Sequence, residues 1–538
     1  GLMEAVVFPE GAVEESALPE LVRVRSQAGK VVAMLAEQGV GEVETAYRTL
    51  AGTPGFPSAE LTLWLATALA EASTESPHAP QLIGELPARI HGLAGAPRAA
   101  MLMAAGDLVV AAGGRLGALD DAARAALMGW LAGQIAEAAG TPAELSLCEA
   151  LCVVGAEGPE QGAARRVQGL MAVVLAPRGQ TVAQERVLKT GVVPVIGQLQ
   201  WGPDTEALVR GVLGSLEEKV QLVEAPSPEV LAFARLLCVA MGDLAPMGAV
   251  PPLPVQLVGK YAAVLRHALG AWRSYEPVLT AACSALASAV AQGRRSPDAI
   301  GPVVSGVAMM LARCAVAEQA AECAQTLGTF VRVMPGVEGE PARALGEAVL
   351  VLVEGLGADE GRPDFVAECF QVLCLALRKK PATSTLAPVV AGHPSMRAAV
   401  ACACLALGET TTPRAACWSL LFLQAVFQWP QQSGPVLAPV LPEVLSAVCR
   451  FLLSAPAAAE TPVLEAAARF LREGYGVLGA RFLKGLEEAL QPLPLGADER
   501  EALPLAVGDG YLAVEGLGEL LRDTVEAWQV EWRRSLYR

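Results

Sequence analysis

Apolar residues recur along this chain at the spacing of one helix face, and short Gly, Pro, Asp and Ser clusters interrupt the pattern every ~14–20 residues. In the segment 461–476 (TPVLEAAARFLREGYG), Val463, Ala467, Phe470 and Leu471 fall on one side of a helix, and Glu465, Arg469 and Arg472 on another. Thr461 is placed to cap that helix, Pro462 suits its first position, and Gly474 is placed to end it. The segment 204–220 (DTEALVRGVLGSLEEKV) repeats the logic. Asp204 is the expected cap, Leu208, Val209, Val212, Leu213, Leu216 and Val220 form the stripe, and Glu206 and Arg210 face outward. The same reading predicts helices over 18–38, 41–51, 57–73, 79–93, 97–112, 118–138, 142–154, 159–175, 181–198, 204–221, 227–242 and 252–269. It continues with 275–292, 298–316, 317–333, 341–356, 362–379, 382–391, 394–407, 413–428, 434–454, 461–474, 477–490 and 509–536.

Successive helix pairs are spaced close to the roughly 40–47 residues of a HEAT or armadillo unit. A single pair cannot bury its own apolar face, so neighbouring pairs must stack. The expected fold is all-α: a HEAT-like α-solenoid, a superhelix of antiparallel helix pairs running continuously over 1–538. No low-complexity linker cuts the run. The Pro-rich breaks APSPEV (225–230) and GAVPPLPVQ (248–256) are expected to be loops, and the acidic stretches 335–341 and 355–364 solvated turns.

Composition agrees. Hydrophobic residues make up 53% and charged residues 18%, which excludes a disordered chain, and few aromatic or β-branched alternating runs argue for sheet. Forty Lys and Arg against 56 Asp and Glu leave a net charge of −16. That balance argues against direct nucleic-acid binding and leaves basic protein surfaces as partners. Mean hydropathy is +0.41, so membrane insertion has to be tested. The uncharged stretch 415–442 loses its apolar character at Pro430, and 278–292 is short and carries Thr, Ser and Gln; both fall below the ~20 residues of a spanning helix. No membrane insertion is expected. No basic segment followed by an apolar one opens the chain, so no secretory signal is expected either. The opening GLMEAVVFPEG, without an initiator Met, suggests a processed, tagged or partial polypeptide.

Candidate chemistry is sparse. The twelve cysteines fall almost entirely in apolar helical runs, among them Cys148, Cys152, Cys238, Cys283, Cys314, Cys369, Cys374, Cys402, Cys404, Cys417 and Cys449. Buried free thiols in a reducing compartment account for them. Cys148 and Cys152 share a helix face, but no His lies near enough in sequence to complete a zinc site. Of the four histidines, His78 and His393 adjoin prolines and are expected in loops, and His91 and His267 follow helical runs. None sits in HExxH or at metal-ligand spacing. GDGYLAVEGLG (508–518) has the glycines of a dinucleotide loop but no preceding strand, and neither GxxxxGK[ST] nor GxSxG occurs. No catalytic, cofactor-binding or metal-binding residue is assigned, no cofactor is expected, and no enzyme activity is expected. Trp64, Trp130, Trp272 and Trp418 sit on apolar stripes and are expected in the core. Trp528 and Trp532 are expected to dock the last helix.

Several segments of the second half resemble the C-terminal half of importin-β superfamily receptors, in particular the transportin-3/importin-13 branch. They are SYEPVLTAACSALASAVAQG (274–293), IGPVVSGVAMMLARCAVAEQAAECAQTLGTFV (300–331), PDFVAECFQVLCLALRKKPAT (363–383), 441–494 in order and spacing, and the terminus WQVEWRRSLYR (528–538). The resemblance is good over 271–538, which corresponds to the cargo-side arch, and loose over 1–270. It implies a nuclear transport receptor, moving between cytoplasm and nucleus, that wraps a protein cargo on a concave face and answers to the small GTPase Ran. In that family the principal Ran-binding repeats lie in the N-terminal half, so this chain would be a cargo-side portion or a diverged relative. It departs from transportin-3 where an arginine-rich helix reads serine/arginine-rich cargo. The matching positions are Ala281, Ser284, Ala287 and Ala291, with Arg294 and Arg295 only after the turn, so that specificity is expected to be absent.

Three readings remain at this point: a transport receptor whose bound partner is released by Ran, a HEAT-repeat scaffold of a large assembly that is indifferent to Ran, and an enzyme, which would need a convergent set of titratable groups in a cleft for which the sequence supplies no candidate. The cargo-contacting residues are not identified by the sequence.

Overall fold

Helix follows helix from Phe56 to Leu536 in the computed structural model, and no strand occurs among the described residues. The structure describes residues 28, 30–32, 34, 47, 49 and 50. From 56 to 536 it describes all but 73–77, 177–180, 245–258, 293–296, 334–338, 357–361, 378–385, 409–410, 430, 432–433, 435–436 and 510–513. The expected helices 18–38 and 41–51 lie mostly outside the described residues, as do Arg294, Arg295 and most of the two acidic stretches.

The chain divides into two compact units, residues 1–249 and 250–538. The first contains α1 (Phe56–Ala72), α2 (His78–Ile90), α3 (Gly95–Ala112), α4 (Asp121–Glu137), α5 (Pro142–Ala156) and α6 (Ala163–Val174). It continues with α7 (Thr181–Arg186), a π-helical turn (Val187–Val192), α8 (Val193–Gly197), α9 (Pro203–Glu217) and α10 (Pro228–Leu244). Most of these helices pack on a sequence neighbour, and several also stack on the helix one repeat further on. One row runs α1, α3, α5 and the π-turn; α4 and α6 form the other.

The second unit contains α11 (Ala262–Leu269), α12 (Glu276–Gln292), α13 (Pro297–Glu318), α14 (Ala321–Val333), α15 (Glu340–Leu356), α16 (Pro363–Leu377) and α17 (Leu386–Ala391). It closes with α18 (Met396–Ala406), α19 (Pro413–Phe427), α20 (Leu441–Ser454), α21 (Thr461–Leu478), α22 (Ala480–Leu490), α23 (Ala497–Gly508) and α24 (Val514–Leu536). Its two rows are α11, α13, α15, α18, α20, α22 and α12, α14, α16, α19, α21, α24. This stacking of helices in two rows is the HEAT-like solenoid that the periodicity predicts.

The repeat length is written in the polar contacts as well. Arg98 Nη2 donates to Gln134 Oε1 and Ser146 Oγ to Asp107 Oδ1, each at 2.9 Å, across separations of 36 and 39 residues. Thr326 Oγ1 donates to the Cys283 carbonyl across 43 residues, and the Arg362 amide to Gln319 Oε1 across another 43. Close helix crossings follow the same interval: a Cβ on Gly106 of α3 would lie 2.2 Å from Ser146 Oγ of α5.

The local end signals of the helices are weaker guides than the period. Asp204 and Thr461 lie inside their helices, whose caps are Gly202 and Glu460. Asp120 caps α4, its carboxylate accepting from the Ala123 amide at 2.7 Å. Gly474 does not end α21, which continues to Leu478. A Cβ there would come within 2.2 Å of Phe482 Cε2, so the glycine serves a helix crossing, and Gly479, at φ +54°, ends the helix. His78 is the first residue of α2 rather than part of a loop. Helix α23 is not among the expected helices; its acidic start (ADERE) masks five apolar residues, Ala502, Leu503, Leu505, Ala506 and Val507. Within α13, Gly301–Glu318 is long and apolar enough to cross a membrane by length and composition, a stretch the sequence reading passed over. Its stripe Val304, Val307, Ala308, Leu311 and Ala315 is buried, and the helix packs on α11, α14 and α15.

Candidate functional site

The chemical groups that the sequence offers are dispersed through the two units. All twelve cysteines are free, and nine of them are buried; Cys402, Cys404 and Cys417 are half-buried. Burial pushes the thiols of Cys402 and Cys404 up to about 11 and that of Cys449 to about 12. Cys152, also pushed to about 11 by burial, accepts from Thr190 Oγ1 at 3.3 Å. Cys283 and Cys323 lie 3.6 Å apart, sulfur to sulfur, between α12 and α14. Among the described residues no group of three or more His, Cys, Asp or Glu is placed to hold a metal ion.

The histidines are likewise apart. His91 is exposed in the turn after α2, and His393 accepts from the Ser395 amide at 3.3 Å in the turn before α18. His267 stacks edge-on against the buried Trp272. Trp528 is buried as well, in α24, whereas Trp64, Trp130 and Trp418 are only half-buried and so contribute one edge to the surface. On α12, Ser284 and Ala291 are exposed, Ala287 is half-buried and Ala281 is buried. The surface positions described on this helix therefore carry no guanidinium.

What the rows of helices do present is a periodic polar surface. Ion pairs bind consecutive repeats: Arg98–Glu137, Arg186–Glu149, Arg273–Glu318 and Arg414–Glu368. Most are half-exposed and contribute little to stability. Glu368 differs, being buried with Oε2 unbonded; burial raises its carboxyl above the ordinary range although the Arg414 guanidinium pulls it back.

One cleft stands out. Between α4 and α6 lies a cavity of about 340 Å³ whose walls are small or apolar, Ala125, Met128, Gly129, Ala132, Gly169 and Ala172. Its polar end holds Arg124 and Arg166, 2% and 5% exposed, with Asp121 beside them. Arg124 is fixed by the chain that enters α4: Nη2 donates to the carbonyls of Leu116 and Leu119 at 3.1 and 3.0 Å, and Nη1 to Asp121 Oδ1 at 3.1 Å. Arg166 donates through Nη1 to the Pro159 carbonyl at 2.8 Å. Both Nε atoms are buried without a partner. The two guanidinium groups meet at Gly158: a Cβ there would lie 2.5 Å from Arg124 Nη1 and 2.9 Å from Arg166 Nη1, and its φ of +130° also requires glycine. Burial, then the neighbouring Arg124 charge, pulls the Arg166 pKa down, and Asp121 opposes the shift. Sequence reading missed this site, although one signal was available: the two arginines each lie three residues into successive helices of one row.

No family model matches the sequence, and no curated protein matches it in sequence. In fold, the chain is similar to a solved structure of importin-13 in its cytosolic state, at 12% identity and a TM-score of 0.64, over 99% of this chain and 62% of that one. It is also similar to importin β crystallised in a polyethylene glycol condition, at 11% identity and a TM-score of 0.50, over 98% of this chain and 64% of that one. The chain thus spans a little under two thirds of the length of either, and the likeness is one of HEAT-repeat architecture.

Proposed function

We propose that this chain is a protein-carrying receptor of the importin-β type, or the cargo-side portion of one, moving between cytoplasm and nucleus. Protein cargo lies along the concave side of repeats that form one continuous array over 1–538, with 271–538 as the cargo-side arch. The observation that carries the reading is the fold likeness to importin-13 over almost the whole chain. The dispersed titratable groups and the net charge of −16 favour a broad surface for basic protein over a pocket for small-molecule chemistry. The alanine and serine surface of α12 supports a cargo other than a phosphorylated serine/arginine-rich segment. Ran dependence belongs to the same reading.

The deciding experiment captures a partner on the immobilised chain and elutes with Ran. Release by the GTP-bound form and not by the GDP-bound form is the expected result. A partner retained under both identifies a Ran-independent scaffold instead.

A further inference from the structure

The cleft between α4 and α6 has features that the stacking of the repeats does not demand. A guanidinium group taken out of water needs its donors bonded and its charge balanced. Arg124 is held by three acceptors but Arg166 by one, through Nη1, and the Nε of each is buried without a partner. Two buried positive charges share one half-exposed carboxylate, Asp121, which leaves a single positive charge uncompensated inside a chain of strongly negative net charge. The third arginine of the cleft, Arg165, is exposed and adds to the same sign. Beyond the charged end, the walls offer no hydrogen-bonding side chain apart from Gln168.

We propose that this cleft binds a carboxylate carried on a slender apolar arm, such as a peptide C-terminus with an aliphatic last residue or a short aliphatic acid. The planar fork of Arg166 suits a carboxylate, which accepts two parallel hydrogen bonds from a guanidinium group. Among the buried groups a monoanion matches the single uncompensated charge, whereas a phosphate monoester brings nearly two negative charges beside Asp121; Arg165 is exposed and its charge is screened by water. The apolar arm covers Ala125, Met128, Gly129 and Ala172, and the volume of about 340 Å³ is that of a small-ligand pocket. The site is independent of the transport reading, since it needs neither Ran nor a protein cargo.

The test titrates the full chain calorimetrically with hexanoate and with N-acetyl-alanyl-leucine. The controls are the amides of both acids and inorganic phosphate. Saturable binding of at least one acid, with a Kd on the order of millimolar or tighter and at least about tenfold weaker binding of its amide, is expected. Hexanoate alone binding identifies a free acid as the natural source, and the dipeptide alone a polypeptide terminus; either supports the site. Arg166→Gln should remove binding. Because that change touches a buried group, Gly129→Leu is the second variant. A Cβ at Gly129 meets nothing within 4 Å, so the added side chain grows into the cleft without disturbing α4. Binding that survives Gly129→Leu overturns the proposal. So do amides that bind as well as acids, phosphate that binds as well as either acid, or the absence of saturable binding.

Discussion

At the scale of single residues, small side chains and buried charge set the tolerance of the fold. Gly474→Ala gains helix propensity of about 1 kcal/mol but drives a methyl group into the Phe482 ring, so net destabilisation of about 1–3 kcal/mol is expected in urea unfolding. Glu368 gives a pH signature. Its folded-state pKa is raised above 4.5, so the folded chain holds this proton more tightly than the unfolded chain does. The group's contribution to stability is therefore full below pH 4.5 and is lost as the pH rises through the folded value. The stability of wild type relative to Glu368→Gln should fall as the pH rises above 4.5, and a flat or rising difference would contradict the assignment. Neither residue could be read correctly from the sequence. Gly474 looks like a helix stop until the ring it faces is known, and Glu368 looks like any outward-facing carboxylate of an amphipathic helix.

At the scale of elements, the amphipathic stripe made most helices legible, because one buried face every 3.6 residues is a property of the segment itself. Terminal signals are less secure, since Pro203 and Pro462 take early helical positions and leave Gly202 and Glu460, which no capping side chain marks, as the caps. The π-turn at Val187–Val192 left no periodic trace. Pro194, which cannot donate to the preceding turn, supplies its physical reason. The omitted helix α23 depends on a distant partner: Arg472 of α21 donates through Nη1 to the carbonyls of Val507 and Asp509, at 3.1 and 2.6 Å, and so holds its C-terminal end. Arg472→Ala should cost about 1.5–3 kcal/mol and raise amide exchange across 500–508, while α12 to α16 keep their protection. Uniformly faster exchange throughout the second unit would show that α23 is held by its apolar face alone.

At the scale of the whole molecule, the period was legible and the cleft was not. Repeat length follows from where apolar runs begin and end, whereas the pairing of Arg124 with Arg166 appears only after α4 and α6 are laid side by side. The alternation of two rows sets a parity on the chain. Removing 297–339, an even number of helices, delivers α15 to the slot that α13 occupied, and both rows close up. Removing 319–339, a single helix and its turns, takes α14 out of its row and brings α15, whose stripe fits the other row, directly after α13. The first deletion should keep cooperative melting and helical circular dichroism in proportion to its length; the second should lose both. Losses are thus tolerated here in units of one helix from each row, much as a coding sequence tolerates them in threes, while α17 and α23 stand beside the rows without shifting them.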